Sequence, residues 1–187
     1  MIHVKHRGLG AFEQHGLALV ESLVQNQAGG GDVRPEGVAA LGELGITTST
    51  VAARRFGGPG SVVAAASRLG VTIEQVLWSD VEAVSKAARE ADLIISTLPA
   101  GVADPLAQCL DVRDGQVLLD VVYSPRHTAL RAAYEAGGGI VAEGTDMLVY
   151  QAGAQVQLMT GRSPDIDVMR GALEEELERR SQEGRAS

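Results

Sequence analysis

Apolar positions along this chain follow two spacings in alternation, one of a helix face and one of a buried strand. From about residue 38 onward the two succeed each other at the intervals of βα units. "VAALGELG" reads as the end of a helix, with Gly45 as its stop. "TSTVAARR" opens with β-branched residues and reads as a short strand. In "GSVVAAASRLG" the spacing is helical, Ser61 suits the N-cap and Gly70 the C-terminal stop. "VTIEQVLW" reads as a further short strand, and "SDVEAVSKAAREA" as an amphipathic helix with Val81, Val84 and Ala88 on one face. Then come the apolar runs of "DLIISTLPAG", "GQVLLDVVY" and "GGIVAEG", the first holding Leu93, Ile94 and Ile95. A run without alternation fits a strand covered on both faces. Between the second and third lies "TALRAAYEAG", a helix closed by glycine. Strands separated by helices predict an α/β fold built on a doubly wound parallel sheet, Rossmann-like in architecture.

Beyond Gly144 the strand signals stop. "TDMLVYQAGAQVQLMTG" predicts a longer helix with Leu148, Ala152, Val156 and Met159 along one stripe. "SPDIDVMRGALEEELERR" predicts a second, with Ser163 as cap and Pro164 in its first turn. Its Glu175–Arg179 and Glu176–Arg180 pairs stand at i,i+4 and read as a solvated face. The beginning of the chain does not fit the alternation. In "LALVESLVQNQ", Leu17, Val20 and Val24 lie at helical spacing, while Gln25, Asn26 and Gln27 cannot form a buried strand. The sheet is therefore expected to be incomplete at its N-terminal edge, without the strand that should precede the glycines of "NQAGGGDVRPEG". The chain divides into an irregular or helical segment (1–37), a Rossmann-like domain with C-terminal helices (38–180) and a flexible tail (181–187).

Composition narrows the function classes. At 187 residues, 45% apolar and 21% charged, the chain is globular and of single-domain size. A net charge of −8 argues against nucleic acid or an anionic membrane as a partner. No apolar run approaches the ~20 residues of a membrane span, and "MIHVKHRGLGAFEQHG" lacks the apolar core of a secretory signal. A cytoplasmic location is the expectation. Cys109 is a lone thiol, read as a small apolar filler on a helix. His3, His6, His15 and His127 form no ligand pattern with it, so no metal site is expected.

Four stretches, taken in order, resemble the C-terminal cofactor domain of the shikimate dehydrogenase family. "VAALGELGITTSTVAARR" is similar to that family's first crossover helix and second strand. "STLPAG" at 96–101 resembles the turn that closes over the nicotinamide side. "DVVYSPRHTAL" at 120–130 matches the pattern D-x-x-Y-x-P-x-x-T-x-L, and "GTDMLVYQAGAQVQLMTG" at 144–161 matches G-x-x-M-L-x-x-Q followed by T-G. The likeness runs over about residues 38 to 176. The last two stretches carry most of its weight, because several unusual positions agree at fixed spacing.

The resemblance implies NADP as cofactor, a shikimate-like hydroxy acid as small-molecule substrate, and reversible hydride transfer between them in aromatic amino-acid biosynthesis. Arg54 and Arg55 end the second strand, where dinucleotide folds meet the adenosine ribose, and arginine there suits the 2′-phosphate of NADP. An exposed pair at a strand end is the plainer alternative. Ser96, Thr97 and Gly101 follow a buried strand and are implied as cofactor contacts, though Ser-Thr before Pro and Gly is also ordinary turn chemistry. Tyr123 is implied at both cofactor and substrate, against a plain amphipathic strand end. Asp120 lies in an apolar run and reads as a structural cap. Gly144 and Met147 are implied on the nicotinamide side. Gln151 is implied at the substrate, where an amide both donates and accepts. Val156 and Met159 stand where the family often has aromatics.

The glycine loop departs from the family. Gly29, Gly30, Gly31 and Asp32 stand where the resemblance expects G-A-G-G, and a carboxylate at Asp32 would repel a pyrophosphate. The family's catalytic Lys and Asp belong to a preceding substrate domain. Neither Lys5 nor Lys86 stands in its N-x-T-x-P-x-K motif, Glu13 belongs to no family motif, and no catalytic residue carries over. Two readings follow. One is an NADP-dependent oxidoreductase of shikimate dehydrogenase type, truncated and expected to be inactive as this chain alone. The other is a non-catalytic nucleotide-binding or interaction module derived from that domain. Shikimate against quinate and a homo-oligomeric state stay open.

Overall fold

The computed structural model describes residues 1–4, 46, 48–58 and 61–186. The elements are β1 (Ile2–Val4), β2 (Thr48–Ala53), α1 (Val62–Leu69), β3 (Thr72–Leu77), α2 (Val81–Glu90), β4 (Leu93–Ser96), α3 (Asp104–Ala107), β5 (Val117–Asp120), α4 (Ala129–Ala136), β6 (Ile140–Glu143), α5 (Gly144–Thr160) and α6 (Ile166–Ala186). The strands form one sheet in the order β3-β2-β1-β4-β5-β6. β2 and β3 pair in parallel, as do β4, β5 and β6.

The apolar runs behave as their patterns require. Successive side chains of a strand point to opposite faces, so Leu93, Ile95, Val117 and Leu119 enter one core while Ile94 and Leu118 enter the other. On the first face Val62 and Ala66 of α1 and Met147 of α5 complete the packing. On the second, Val84 and Ala88 of α2, Leu106 of α3 and Leu130 and Tyr134 of α4 do so. Ile94 and Leu118 are 0% exposed, and each such side chain contributes about 1.5–3 kcal/mol by leaving water. The fold class is thus the expected one, doubly wound and covered on both sides.

The centre of the sheet holds what the pattern did not foresee. Ile2–Val4 takes the place between β2 and β4 and runs antiparallel to both, with Ile2 opposite Val51 and Ile95 and His3 opposite Thr50 and Ile94. The strand order matches that of a dinucleotide fold, 3-2-1-4-5-6, but its first member is reversed. Two reversals about β1 leave β2 and β4 parallel, so five strands still end at a common carboxyl edge. The Met1 amino group donates to Ala52 O at 3.0 Å, and Ala52 N donates to Met1 O at 2.8 Å. The expected deficit therefore falls on the central place of the sheet, which these residues fill. The glycine segment 29–32, the helix end at Gly45 and the apolar spacing of 17–24 lie outside the described residues.

Caps confirm several boundaries. Ser61, Asp80 and Thr128 each accept from a backbone N–H three residues on, and Gly70 ends α1 in the left-handed region at φ 67°. Other expectations need correction. Val81 is 54% exposed, and Ser85 rather than Val81 joins Val84 and Ala88 in the buried face of α2. β6 closes the sheet, so its Ile140 is 46% exposed instead of buried on both faces. Cys109 is exposed in the turn after α3. In α5 the buried residues are Gly144, Thr145, Met147, Val149 and Gly153, not the predicted stripe, and Met159 is 84% exposed. The helix outruns the sheet beneath it, so its last turns, with Leu158 and Met159, leave the core. α6 begins later than expected, with Asp165 Oδ1 accepting from Asp167 N and Val168 N in the capping role assigned to Ser163. Glu176 pairs with Arg180 as expected, but Arg179 pairs with Glu176 and Glu183 instead of Glu175. α6 folds back on α5 at Gly153, where an added Cβ would stand 2.7 Å from Ile166 Cδ1.

Tyr134 is 0% exposed, and its hydroxyl has no hydrogen-bond partner among the described residues. Burial pushes the phenol above its ordinary pKa, so it stays neutral and uncompensated. Tyr134→Phe removes that cost, and we expect a gain of about 1 kcal/mol, read as a higher urea midpoint at unchanged slope. A loss of stability would show that the hydroxyl has a partner after all.

Candidate functional site

Open α/β sheets bind ligands outside the carboxyl ends of their strands, and most of the singled-out residues stand at that edge. Arg54 and Arg55 follow β2 directly and are exposed. Ser96 is the last residue of β4, buried, with its carbonyl accepting from Val121 N at 3.0 Å. Thr97 follows it, and its Oγ1 is buried without a hydrogen-bond partner among the described residues. Asp120 ends β5, and the loop 121–128 leaves it through Tyr123 and the cis Ser124–Pro125 peptide. Glu143 ends β6, and Gly144 opens α5.

The loop after β5 is tied down by side chains. Asp120 accepts from Thr128 Oγ1 at 2.8 Å and from Val122 N at 3.2 Å, so one carboxylate holds both ends of the turn. Thr128 in turn caps α4 by accepting from Arg131 N. Burial pushes the Asp120 carboxyl above its ordinary pKa, against the pull of those two donors and of Arg131. The structural-cap reading of Asp120 therefore has its partners in place.

Glu143 gathers three donors. Arg126 Nη2 lies 2.8 Å and Thr145 Oγ1 3.1 Å from its Oε2, and Arg131 Nη1 lies 3.0 Å from Oε1. Arg131 also pairs with Glu135 at 2.7 Å. Partial burial opposes ionisation, but the two guanidinium groups outweigh it and hold Glu143 below the ordinary glutamate range. Arg126, Arg131 and Glu143 line one crevice together with Asp120, Tyr123, Gly144 and Thr145. Its free space is about 10 Å³, room for a single water.

Gly144 is required by contact, not by dihedral angle. A Cβ there would lie 2.6 Å from Val121 O, 2.8 Å from Val121 C and 3.0 Å from Asp120 O. The start of α5 thus rests directly on the backbone that leaves β5.

Tyr123 and Gly144 meet in this crevice, and Tyr123 is 47% exposed above it. Gly101 stands apart, at φ 83° in the turn that leads into α3. Met147 is 9% exposed and belongs to the core of the first face, and Gln151, one turn further along α5, is half-buried. The residues not singled out from the sequence are Arg126, Arg131, Glu143 and Thr145. Their pairing joins positions 17 and 12 apart across three elements, and no local spacing announces it.

The fit to a dinucleotide is partial. The unpartnered Thr97 hydroxyl at the end of β4 and the exposed arginines after β2 suit a phosphate-bearing ligand. The reversed β1 does not deliver a strand into a glycine turn at that edge, which a pyrophosphate cradle requires.

Residues 144–174 match the family model described as the shikimate 5′-dehydrogenase C-terminal domain. The chain is 34% identical over 103 residues to the shikimate dehydrogenase (NADP(+)) of Methanothermobacter thermautotrophicus, spanning 52% of this chain but 36% of that protein. Among solved structures it resembles Mycobacterium tuberculosis shikimate dehydrogenase, with TM-score 0.69, 34% identity and coverage of 84% of this chain and 62% of the other. It also resembles shikimate 5-dehydrogenase of Thermus thermophilus in complex with NADP(H) and shikimate, with TM-score 0.55, 27% identity and coverage of 73% and 49%.

Two outcomes test the packing of this edge. Gly144→Ala places a methyl group against backbone that cannot rotate away, and we expect it to cost about 1–3 kcal/mol in thermal or urea unfolding. An unchanged melting curve would contradict the close approach. Asp120, with its pKa raised in the fold, binds its proton more tightly folded than unfolded, so its share of stability is present at low pH and lost as pH rises through the folded value. Asp120→Asn should accordingly gain on the parent protein between pH 3 and pH 8, read as urea midpoints at each pH. A gain toward low pH would reverse the sign and refute the buried-carboxyl account.

Proposed function

We propose, for a chain that carries a shikimate dehydrogenase-type C-terminal domain, that the described residues form the NADP-binding lobe of such an oxidoreductase. The observation that carries this reading is the convergence at one sheet edge of the arginines after β2, the orphan hydroxyl of Thr97 and the Tyr123–Gly144 crevice. Arg54 and Arg55 would hold the 2′-phosphate, and Ser96, Thr97, Gly101 and Gly144 would border the nicotinamide. Tyr123 and Gln151 would face a hydroxy-acid substrate. The relatives named as NADP(+) enzymes, and the Thermus protein seen with NADP(H) and shikimate, support the choice of cofactor and substrate class. When bound, NADP supplies the hydride acceptor.

Hydride transfer at a carbonyl also needs an acid to protonate the forming alkoxide. Among the described residues the one lysine, Lys86, lines a groove with Thr48 and Glu74 and is not among the residues that line the crevice. The chain spans 36% of the length of the Methanothermobacter relative. We therefore assign this chain cofactor binding without turnover on its own. A second reading, a non-catalytic module derived from the same domain, draws its support from the reversed β1.

The test is a titration followed by an assay. NADP should bind the purified chain, and Arg54→Gln with Arg55→Gln should weaken NADP by about tenfold or more while leaving NAD little changed, as loss of charge-assisted hydrogen bonds requires. Shikimate added to the NADP complex should yield no NADPH absorbance. Absent NADP binding refutes the cofactor lobe, and NADPH formation refutes the lack of turnover. Supplying the substrate-binding lobe of a related enzyme separates the two readings, since restored turnover excludes the non-catalytic module.

A further inference from the structure

Three of the capped helices use their cap side chain on their own first turn, as Ser61, Asp80 and Thr128 do. α5 does not. Glu143 stands in its N-cap position without a side-chain hydrogen bond to the helix backbone. Its carboxylate is turned instead toward Arg126 in the loop after β5 and Arg131 in α4, with Thr145 Oγ1 beside it. Arg131 Nη1 reaches back to Arg126 O at 3.5 Å, so loop and helix are joined a second time. A side chain placed to cap a helix has been committed to bracing a wall.

The braced parts are those that make the crevice. Arg126 lies in the loop that carries Tyr123, and Glu143 immediately precedes Gly144. Gly144 cannot drift from the backbone of Asp120 and Val121 without opening the contact that excludes a Cβ. Both oxygens of Glu143 are engaged, and the side chains of Arg131 and Glu143 are 18% and 26% exposed, so solvent only partly screens the pairing.

We propose that Glu143 is a positioning residue for the cofactor side of the crevice, holding the Tyr123 loop and the start of α5 in register through Arg126 and Arg131. The role rests on the cofactor-lobe reading above, and it acts through neighbours, not by touching the ligand. Preorganisation of this kind lowers the cost of ordering the wall when ligand binds.

Charge and positioning predict opposite effects of one variant, Glu143→Gln, which makes the test decisive. Glu143→Gln removes a negative charge near an anionic cofactor, and Arg126→Met removes a positive one. If only the field mattered, the first would tighten NADP and the second would weaken it. If positioning matters, both weaken it, by about tenfold each, as misplacement of a binding wall does. NADP titrations at a temperature well below both unfolding midpoints read this out. Hydrogen exchange gives a readout independent of the cofactor: amides of 121–128 and 144–150 should exchange faster in both variants. Opposite signs in the titration, shifts under twofold, or unchanged exchange in those segments would each overturn the proposal. If the parent protein binds no NADP while exchange rises as expected, the cofactor-lobe reading fails and the bracing role of Glu143 stands.

Discussion

Everything in this molecule depends on two inner strands, β4 and β5, that are buried along their whole length. Leu93–Ile95 and Val117–Leu119 are apolar at every position, so water must be excluded from both sides at once. A helix layer on one side alone would leave Ile94 and Leu118 exposed. That requirement fixes the three-layer architecture, and the crossovers between parallel strands then bring the carboxyl ends to a common edge. The crevice is a consequence of where those strands stop.

At that edge the chain changes the means by which it holds itself together. Inside the sheet, burial of aliphatic surface dominates. At the rim, where strands end and loops begin, carboxylates take over: Asp120 closes the loop after β5 through Thr128 and Val122, and Glu143 joins three segments through two arginines. The two carboxylates sit in different surroundings, and their proton affinities move apart accordingly. Asp120 is raised by burial, whereas Glu143 is lowered because its arginines outweigh its partial burial. A single class of side chain thus ties this rim at two points, its proton affinity shifted in opposite directions by burial and by paired arginines.

The reversed β1 shows how little a sheet centre demands of the strand that fills it. Three residues supply backbone donors and acceptors to β2 and β4, and Met1 adds a buried side chain to the second core. Antiparallel and parallel ladders both satisfy the neighbouring backbone groups, so a strand of either direction can fill the place. Function is less tolerant. A parallel strand would point its end at the ligand edge, and this one ends at the opposite edge.

Much of this was legible in the amino-acid order. Continuous apolar runs gave away the doubly covered strands, Ser61 and Gly70 marked helix limits by local chemistry, and "DVVYSPRHTAL" with "GTDMLVYQAG" pointed to the family and to Tyr123 and Gly144. These signals are local: capping, spacing and turn chemistry act within a few residues, so they survive in one dimension. The direction of β1, the exposure of Val81 and Met159, the choice of Arg179 for Glu176 and Glu183, and the gathering of Arg126, Arg131 and Thr145 about Glu143 belong to tertiary structure alone. Each depends on which surfaces meet after the chain has crossed the sheet, and a charge pair 17 residues apart leaves no periodic trace. The sequence by itself determined the layers and the kind of edge they create; only packing decided which side chains brace it.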